Sequence, residues 1–342
     1  MIGCFGEIML RLRPEPDSLL LSQAGSFHLE PGGSESNVAI ALSALGHKTT
    51  MLTGLPENPL GRKVIQYLRG HRVGTEKVVL SGNGRLGLYF TEKGCGHRPS
   101  RVLYDREGSV YNFLDELVKD PDAWLNDCSW LHLSGIALAT SRRAADFSLA
   151  LVAKAYNKGI KISLDINHRK QLWGWCKEKK ERCDYLMKVG EKATVLVGNE
   201  TDLEVGLFGD PSLSQGELMA GLTEIAKKGD LAWVAISRRE SEQADRNLFG
   251  GLIYDFRREP AKPRRWEAKP RTITLIVDRV GTGDAFCGAI LDGFLKGMEP
   301  GQCLEKAVML GTLMHGVSGD ACLIDENFLK QCLADDSGRI LR

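Results

Sequence analysis

Residues 277–292 read VDRVGTGDAFCGAILD: an apolar run (ITLIV, 273–277) leads into the glycine-bracketed turn Gly281-Thr282-Gly283-Asp284, and a small-residue helix follows at once. Glycines let backbone N–H groups crowd around an anion, and the positive end of the new helix points the same way. An acid in that turn is out of place if the turn only holds phosphate. It makes sense if the carboxylate takes a proton from an attacking hydroxyl while the amides stabilise a transferred phosphoryl group. Standing alone, Asp284 would equally be a helix N-cap after a glycine turn.

Outward from this stretch, short apolar runs alternate with amphipathic helical segments, the pattern of βαβ units and a parallel sheet. The spacing predicts strands over residues 3–10, 49–52, 130–134, 160–165, 194–198, 231–237 and 273–277. Runs such as VAIS and ITLIV are apolar without interruption, as strands covered on both faces are. A helix over 37–45 is expected with Ser36 as its cap and Gly46 as its stop, and another over 142–157 stopping at Gly159. Residues 11–30 and 85–111 break the alternation with strand-like pieces that have no helix between them. Antiparallel hairpins forming a small β lid are the functional reading, since lids exclude water; surface excursions without a role are the other.

By length alone the 342 residues suit one large domain with an appendage as well as two domains; the expectation is a single domain, 1–342, with a lid from the two hairpin segments. A net charge of +1 argues against nucleic acid or a membrane surface as main partner, because both need a basic excess. No window approaches eighteen uncharged apolar residues, and the first residues, MIGCFGEIMLRLRPEPD, do not form a signal peptide, so a cytoplasmic location is expected. Nine cysteines without a Cys-x-x-Cys and seven dispersed histidines form neither a disulfide framework nor a zinc site. Gly82-Asn83-Gly84-Arg85-Leu86-Gly87 satisfies G-x-G-x-x-G but precedes a strand-like run instead of a helix, so it is no dinucleotide site.

Near the N-terminus, Pro31-Gly32-Gly33-Ser34-Glu35-Ser36-Asn37 leads directly into a helix and could pack polar groups against a polyhydroxylated ligand. Together with GTGD, this stretch resembles the two signature regions of the PfkB (ribokinase-like) carbohydrate kinases, in order and spacing over nearly the whole chain. The resemblance implies an α/β fold, a three-layer α/β/α sandwich with a central, mostly parallel sheet and a small β-sheet lid. It also implies ATP and Mg²⁺ as cofactors, Asp284 as base, and the Gly281, Gly283 and Asp284 amides as an anion hole, with Thr282 a mild departure from the family's alanine. GEIMLRL, GGSESN, GRLGLYFTEKG, RPSRVLYDREGS and DINHRKQLW are similar to 2-keto-3-deoxygluconate kinases. From that branch, Gly32, Gly33, Asn37, Tyr89, Tyr104, Arg106 and Arg169 are carried over as substrate residues beside Asp284. The chemistry agrees, since a carboxylate in a covered site needs fixed positive donors and arginine offers a planar pair.

Asn199-Glu200-Thr201-Asp202 is similar to the family's Asn-x-x-Glu element, which implies Asn199 and Asp202 as the groups that order Mg²⁺, with one methylene fewer at position 202. Ser237 is the last nucleotide contact the resemblance supplies, because SRRESEQADRNLFGGLIYD replaces the glycine-rich stretch that many relatives have there. The expected activity is phosphorylation of 2-keto-3-deoxy-D-gluconate by ATP. A kinase for fructose or another neutral sugar, and a sugar-binding homologue with weakened catalysis, are the alternatives. Pairing through the lid, as relatives do, implies a homo-oligomer of two or more subunits.

Overall fold

Uninterrupted apolar runs become strands buried on both faces in the computed structural model, which describes residues 1–243 and 246–335. Strands β1 (Ile2–Phe5), β4 (Thr49–Pro56), β5 (Val78–Ser81), β8 (Trp130–Ser134), β9 (Lys161–Asp165), β10 (Val195–Gly198), β11 (Trp233–Gln243), β12 (Arg246–Asp255) and β13 (Arg264–Ile273) form one sheet. Interleaved with them in the chain, β2 (Met9–Pro14), β3 (Phe27–Gly32), β6 (Gly87–Glu92) and β7 (Arg101–Asp105) form a second. The large sheet runs β13-β12-β11-β10-β9-β8-β1-β4-β5. From β11 to β5 every neighbouring pair is parallel, and β12 and β13 add antiparallel at one edge.

Successive residues of a strand point to opposite faces, and the two cores follow that alternation. Cys4, Val195 and Val197 enter one, packed by the helices Ser34–Ala44, Thr282–Leu295 and Pro300–Met314; Phe5 and Leu196 enter the other, under Arg142–Asn157, Lys179–Gly190 and Gln215–Lys228. The molecule is therefore an α/β/α sandwich with a mostly parallel sheet. Among the described residues no helix is long and apolar enough to cross a membrane.

The second sheet has the order β3-β2-β6-β7. Its outer pairs are the expected antiparallel hairpins, but the central pair, β2 with β6, is parallel. The expected strand over 3–10 is two strands in two sheets. The run breaks at Gly6, where a Cβ would lie 2.1 Å from the Glu35 side chain, and the chain crosses there from the main sheet to the lid.

The expected strand over 273–277 is corrected as well. Strand β13 ends at Ile273; Leu275 is 73% exposed, and Val277 donates to the backbone oxygen of His315 outside any ladder. The actual strand reads RRWEAKPRTI, too polar to look like one, because an edge strand exposes one face and one row of backbone groups. Pro270 sits where the β12–β13 register slips, a place that demands no ladder N–H. The helix expected from residue 37 begins at Ser34, with Gly33 at its N-cap. Ser36 does not cap it; its hydroxyl donates back to the Gly33 oxygen at 2.8 Å.

Candidate active site

In a parallel sheet, loops at the carboxyl ends of the strands converge on one side, and ligands bind there. Ser134, Asp165, Gly198 and Ser237 stand at or beyond those ends of β8, β9, β10 and the parallel-paired part of β11. Above them, between the main sheet and the lid, lies a cleft of about 1500 Å³. Of the residues expected from sequence, Gly33, Asn37, Tyr89, Tyr104, Arg106 and Arg169 line it, as do Asn199, Asp202, Ser237 and all four of Gly281–Asp284. Gly32 alone does not. It lies just behind, where a Cβ would meet the Tyr89 hydroxyl at 2.2 Å.

Asp284 occupies the third helical position after the N-cap, Gly281, and its carboxylate makes no capping bond. It turns instead to the other signature stretch: Oδ1 accepts from Ser34 Oγ at 2.8 Å and Oδ2 from Asn37 Nδ2 at 2.7 Å. Asn167 holds Ser34 in turn, donating to its Oγ at 3.1 Å. Burial pushes the Asp284 carboxyl above the usual aspartate range, against the pull of the bonds from Asn37 and Ser34 and the charge of Arg169. A buried, oriented carboxylate of raised basicity is what a general base needs. Asp165 is also pushed well up, by burial first and then by the nearby charges of Asp284 and Asp202.

The glycine turn is sterically exacting at one position. Gly281 has φ 81°, and a Cβ there would lie 1.9 Å from the backbone oxygen of Asp320. A Cβ on Gly283 would meet nothing within 4 Å. Gly281→Ala is therefore expected to lower the melting temperature, since the left-handed backbone alone costs about 1–2 kcal/mol before the clash is relieved, and Gly283→Ala should melt close to the parent. Thermal unfolding followed by circular dichroism checks this; equal losses in the two variants would remove the steric account.

The arginines differ in a way the sequence does not show. Arg106 is buried and bound to buried Glu7, with Nε donating to Oε2 at 2.7 Å and Nη2 at 2.5 Å from the same oxygen. Arg169 is exposed to the cleft, and among the described residues it forms no ion pair. The Tyr89 hydroxyl donates to Asp320, whose other oxygen takes Arg11 Nη1 at 2.5 Å. Arg11 also reaches Asp278 at 2.7 Å, so lid strands β2 and β6 are pinned to the loops on either side of the glycine turn. Burial raises the Asp320 carboxyl to about 6, opposed by Arg11.

Asn199 caps the short helix Glu200–Leu203: its Oδ1 accepts from the Asp202 amide at 2.7 Å and its Nδ2 donates to Asp202 Oδ2 at 2.8 Å. Asp202 Oδ1 accepts from the His168 amide at 3.2 Å. Each Asp202 oxygen thus accepts one hydrogen bond and, as a carboxylate oxygen, keeps a further lone pair, and Asn199 and Asp202 both line the cleft.

Sequence reading missed Glu7, Asp165, Asn167, Asp320 and Arg239. Glu7, Asp165 and Asn167 lie inside GEIMLRL and DINHRKQLW, stretches that carry the resemblance through neighbouring residues. Asp320, in SGDACLID, carries no local signal.

A cleft under a β lid, with a buried aspartate seated on a glycine turn at a helix N-terminus, is the layout of an enzyme that phosphorylates small hydroxylated molecules. Residues 1–326 match the model of the pfkB family of carbohydrate kinases. The chain belongs to that family and is a sugar kinase. It is 31% identical over 332 residues to a 2-dehydro-3-deoxygalactonokinase of Haloferax volcanii, covering 96% of this chain and 95% of that one. Among solved structures it is similar to the 2-dehydro-3-deoxygluconokinase of Thermotoga maritima, at 31% identity, a TM-score of 0.86 and 98% coverage of both chains. A PfkB carbohydrate kinase of Listeria grayi superposes with a TM-score of 0.88 at 28% identity, over 98% of this chain and 99% of that one.

Proposed function

We propose that this sugar kinase transfers the γ-phosphoryl group of ATP to a hydroxyl of a 2-keto-3-deoxy sugar acid, 2-keto-3-deoxy-D-gluconate being the leading candidate. The observation that carries the reading is the Asp284 carboxylate, fixed by Ser34 and Asn37 at the start of the Thr282–Leu295 helix and facing the cleft that exposes Arg169. Asp284 takes the proton of the attacking hydroxyl, and the amides of the glycine turn receive charge on the transferred group. Arg169 pairs with the substrate carboxylate. The names of the relatives support a substrate of this kind.

Mg²⁺ fits the donors present. Among the described residues no group of three or more histidine, cysteine or acidic side chains could hold a metal by itself, and Mg²⁺ in kinases is held mostly by phosphate and water oxygens with one or two carboxylates. Asp202 is the carboxylate that would hold it, positioned by Asn199, and the ion would neutralise charge between the β- and γ-phosphates. ADP release should require Mg²⁺ or Mn²⁺ and stop with chelator. Asp202→Ala should raise the Mg²⁺ concentration for half-maximal rate; an unchanged Mg²⁺ titration would remove the metal role of this residue.

The same assay, run over 2-keto-3-deoxygluconate, its galacto epimer, gluconate, fructose and ribose, tests the substrate class. The keto-deoxy acids should give the highest kcat/KM. One observation favours the neutral-sugar reading: Glu7 already neutralises Arg106, which lowers the positive charge offered to an acid. Fructose turning over best would establish that alternative.

A further inference from the structure

Thr282 and the arginine-rich stretch after Ser237 are far apart in sequence and meet in the cleft. Arg239 Nη2 donates to Thr282 Oγ1 at 2.5 Å, and that hydroxyl donates in turn to the Arg279 backbone oxygen at 3.0 Å. The guanidinium is thus seated on the first residue of the Thr282–Leu295 helix, whose first three residues line the cleft.

Its neighbour on β11 shows what an ordinary arginine of this strand does. Arg238 is neutralised twice, by Glu200 at 2.5 Å and by Glu267 at 2.6 Å. Arg239, exposed to the cleft, forms no ion pair among the described residues; it leans over the Phe249 ring, 5.8 Å from its centre. Surrounding protein first, and then repulsion from Arg279 and Arg169, pull its pKa down to about 10. That value still leaves it charged at neutral pH, so the fold holds an uncompensated cation beside a helix N-terminus. Backbone amides and a guanidinium fork together match the geometry of a phosphate.

Resting on the reading of the cleft as an ATP site, we propose that Arg239, held by the Thr282 hydroxyl, binds the terminal phosphates of the nucleotide. The side chain keeps its proton throughout; it contributes charge and two donors to the phosphate oxygens. Thr282 then has a function of its own, as the seat that aims the guanidinium.

Isothermal titration with ADP and with AMP, both with Mg²⁺, tests this on the full chain. Arg239→Ala should weaken ADP by roughly 10- to 100-fold, the worth of charge-assisted bonds, and leave AMP unchanged, since AMP lacks the outer phosphate. Arg239→Lys should recover part, keeping the charge without the fork. Thr282→Val should shift ADP in the same direction by less. In steady state, KM for ATP should rise or kcat fall while KM for the sugar acid holds. Among the described residues no buried carboxylate loses a partner in Arg239→Ala, so its melting temperature should match the parent's. Unchanged ADP affinity, equal losses for ADP and AMP, or a rise in the sugar KM alone would each overturn the assignment while leaving the kinase reading intact. If the parent binds neither ADP nor ATP, the ATP reading of the cleft falls first and this inference with it.

Discussion

Asp284→Asn is expected to lower kcat by roughly 10²–10⁴-fold, the range for a positioned general base, with KM for ATP almost unmoved. The substitution keeps the shape of the side chain. Asn37 can rotate its amide to suit the new neighbour, because its Oδ1 has no hydrogen-bond partner among the described residues of the parent. Lost turnover would then report lost basicity and not a collapsed site. The pH profile gives an independent check. Burial raises the Asp284 carboxyl, so the acid limb of kcat/KM should lie above the ordinary aspartate range: activity appears as pH rises through the folded-state pKa and is lost below it. Ser34→Ala removes a bond that favours the carboxylate, so it should push that limb higher still. Near-parent turnover in Asp284→Asn, or an acid limb unmoved by Ser34→Ala, would sink the role of this residue.

Arg106→Ala and Arg169→Ala are expected to fail in different ways. Removing Arg106 leaves Glu7, 3% exposed, without its counter-charge. Breaking a buried pair from one side typically costs about 3–5 kcal/mol, so this variant should melt many degrees lower. Glu7→Gln in the same chain should return much of the loss. Arg169 is exposed and forms no ion pair among the described residues, so Arg169→Ala should leave stability within about 0.5 kcal/mol. Its cost should appear in kcat/KM for the sugar acid, at about 10- to 150-fold for a charge-assisted bond worth roughly 1.5–3 kcal/mol. Fructose has no carboxylate to lose and should be affected far less. Equal kinetic losses on acid and neutral sugar in Arg169→Ala would remove the carboxylate contact, and an unshifted melting temperature in Arg106→Ala would remove the structural one.

The parallel part of the sheet is legible because strands covered on both faces must be apolar throughout: the apolar run 130–134 and the helical pattern 142–157 coincide with the strand Trp130–Ser134 and the helix Arg142–Asn157. The lid was legible from the lack of helices between its strands. The edge was not. RRWEAKPRTI is an edge strand that shows solvent one face, and the adjacent ITLIV drew the assignment by hydrophobicity alone, although a passing segment can bury Ile276 and expose Leu275. Which residues line the cleft is largely legible in the sequence, and their partnerships are not. Arg106 and Arg169 look alike as residues following strand-like runs, yet their meaning depends on whether Glu7, some hundred positions away, stands opposite. Asp320 is further still from its partners Arg11 and Tyr89. No local pattern encodes a contact of that span.

The polar edge strand also has a bearing on how copies of the chain avoid one another. An open sheet offers two rows of unsatisfied N–H and C=O groups to any passing strand, and proteins blunt such rows with charge, proline or brevity. Here β13 presents Arg264, Arg265, Glu267, Lys269, Pro270 and Arg271 at one margin, and at the other β5 is only four residues long. Both margins are poor templates for another strand, so strand-by-strand growth into fibrils is discouraged at each end of the sheet, including in chains caught partly refolded.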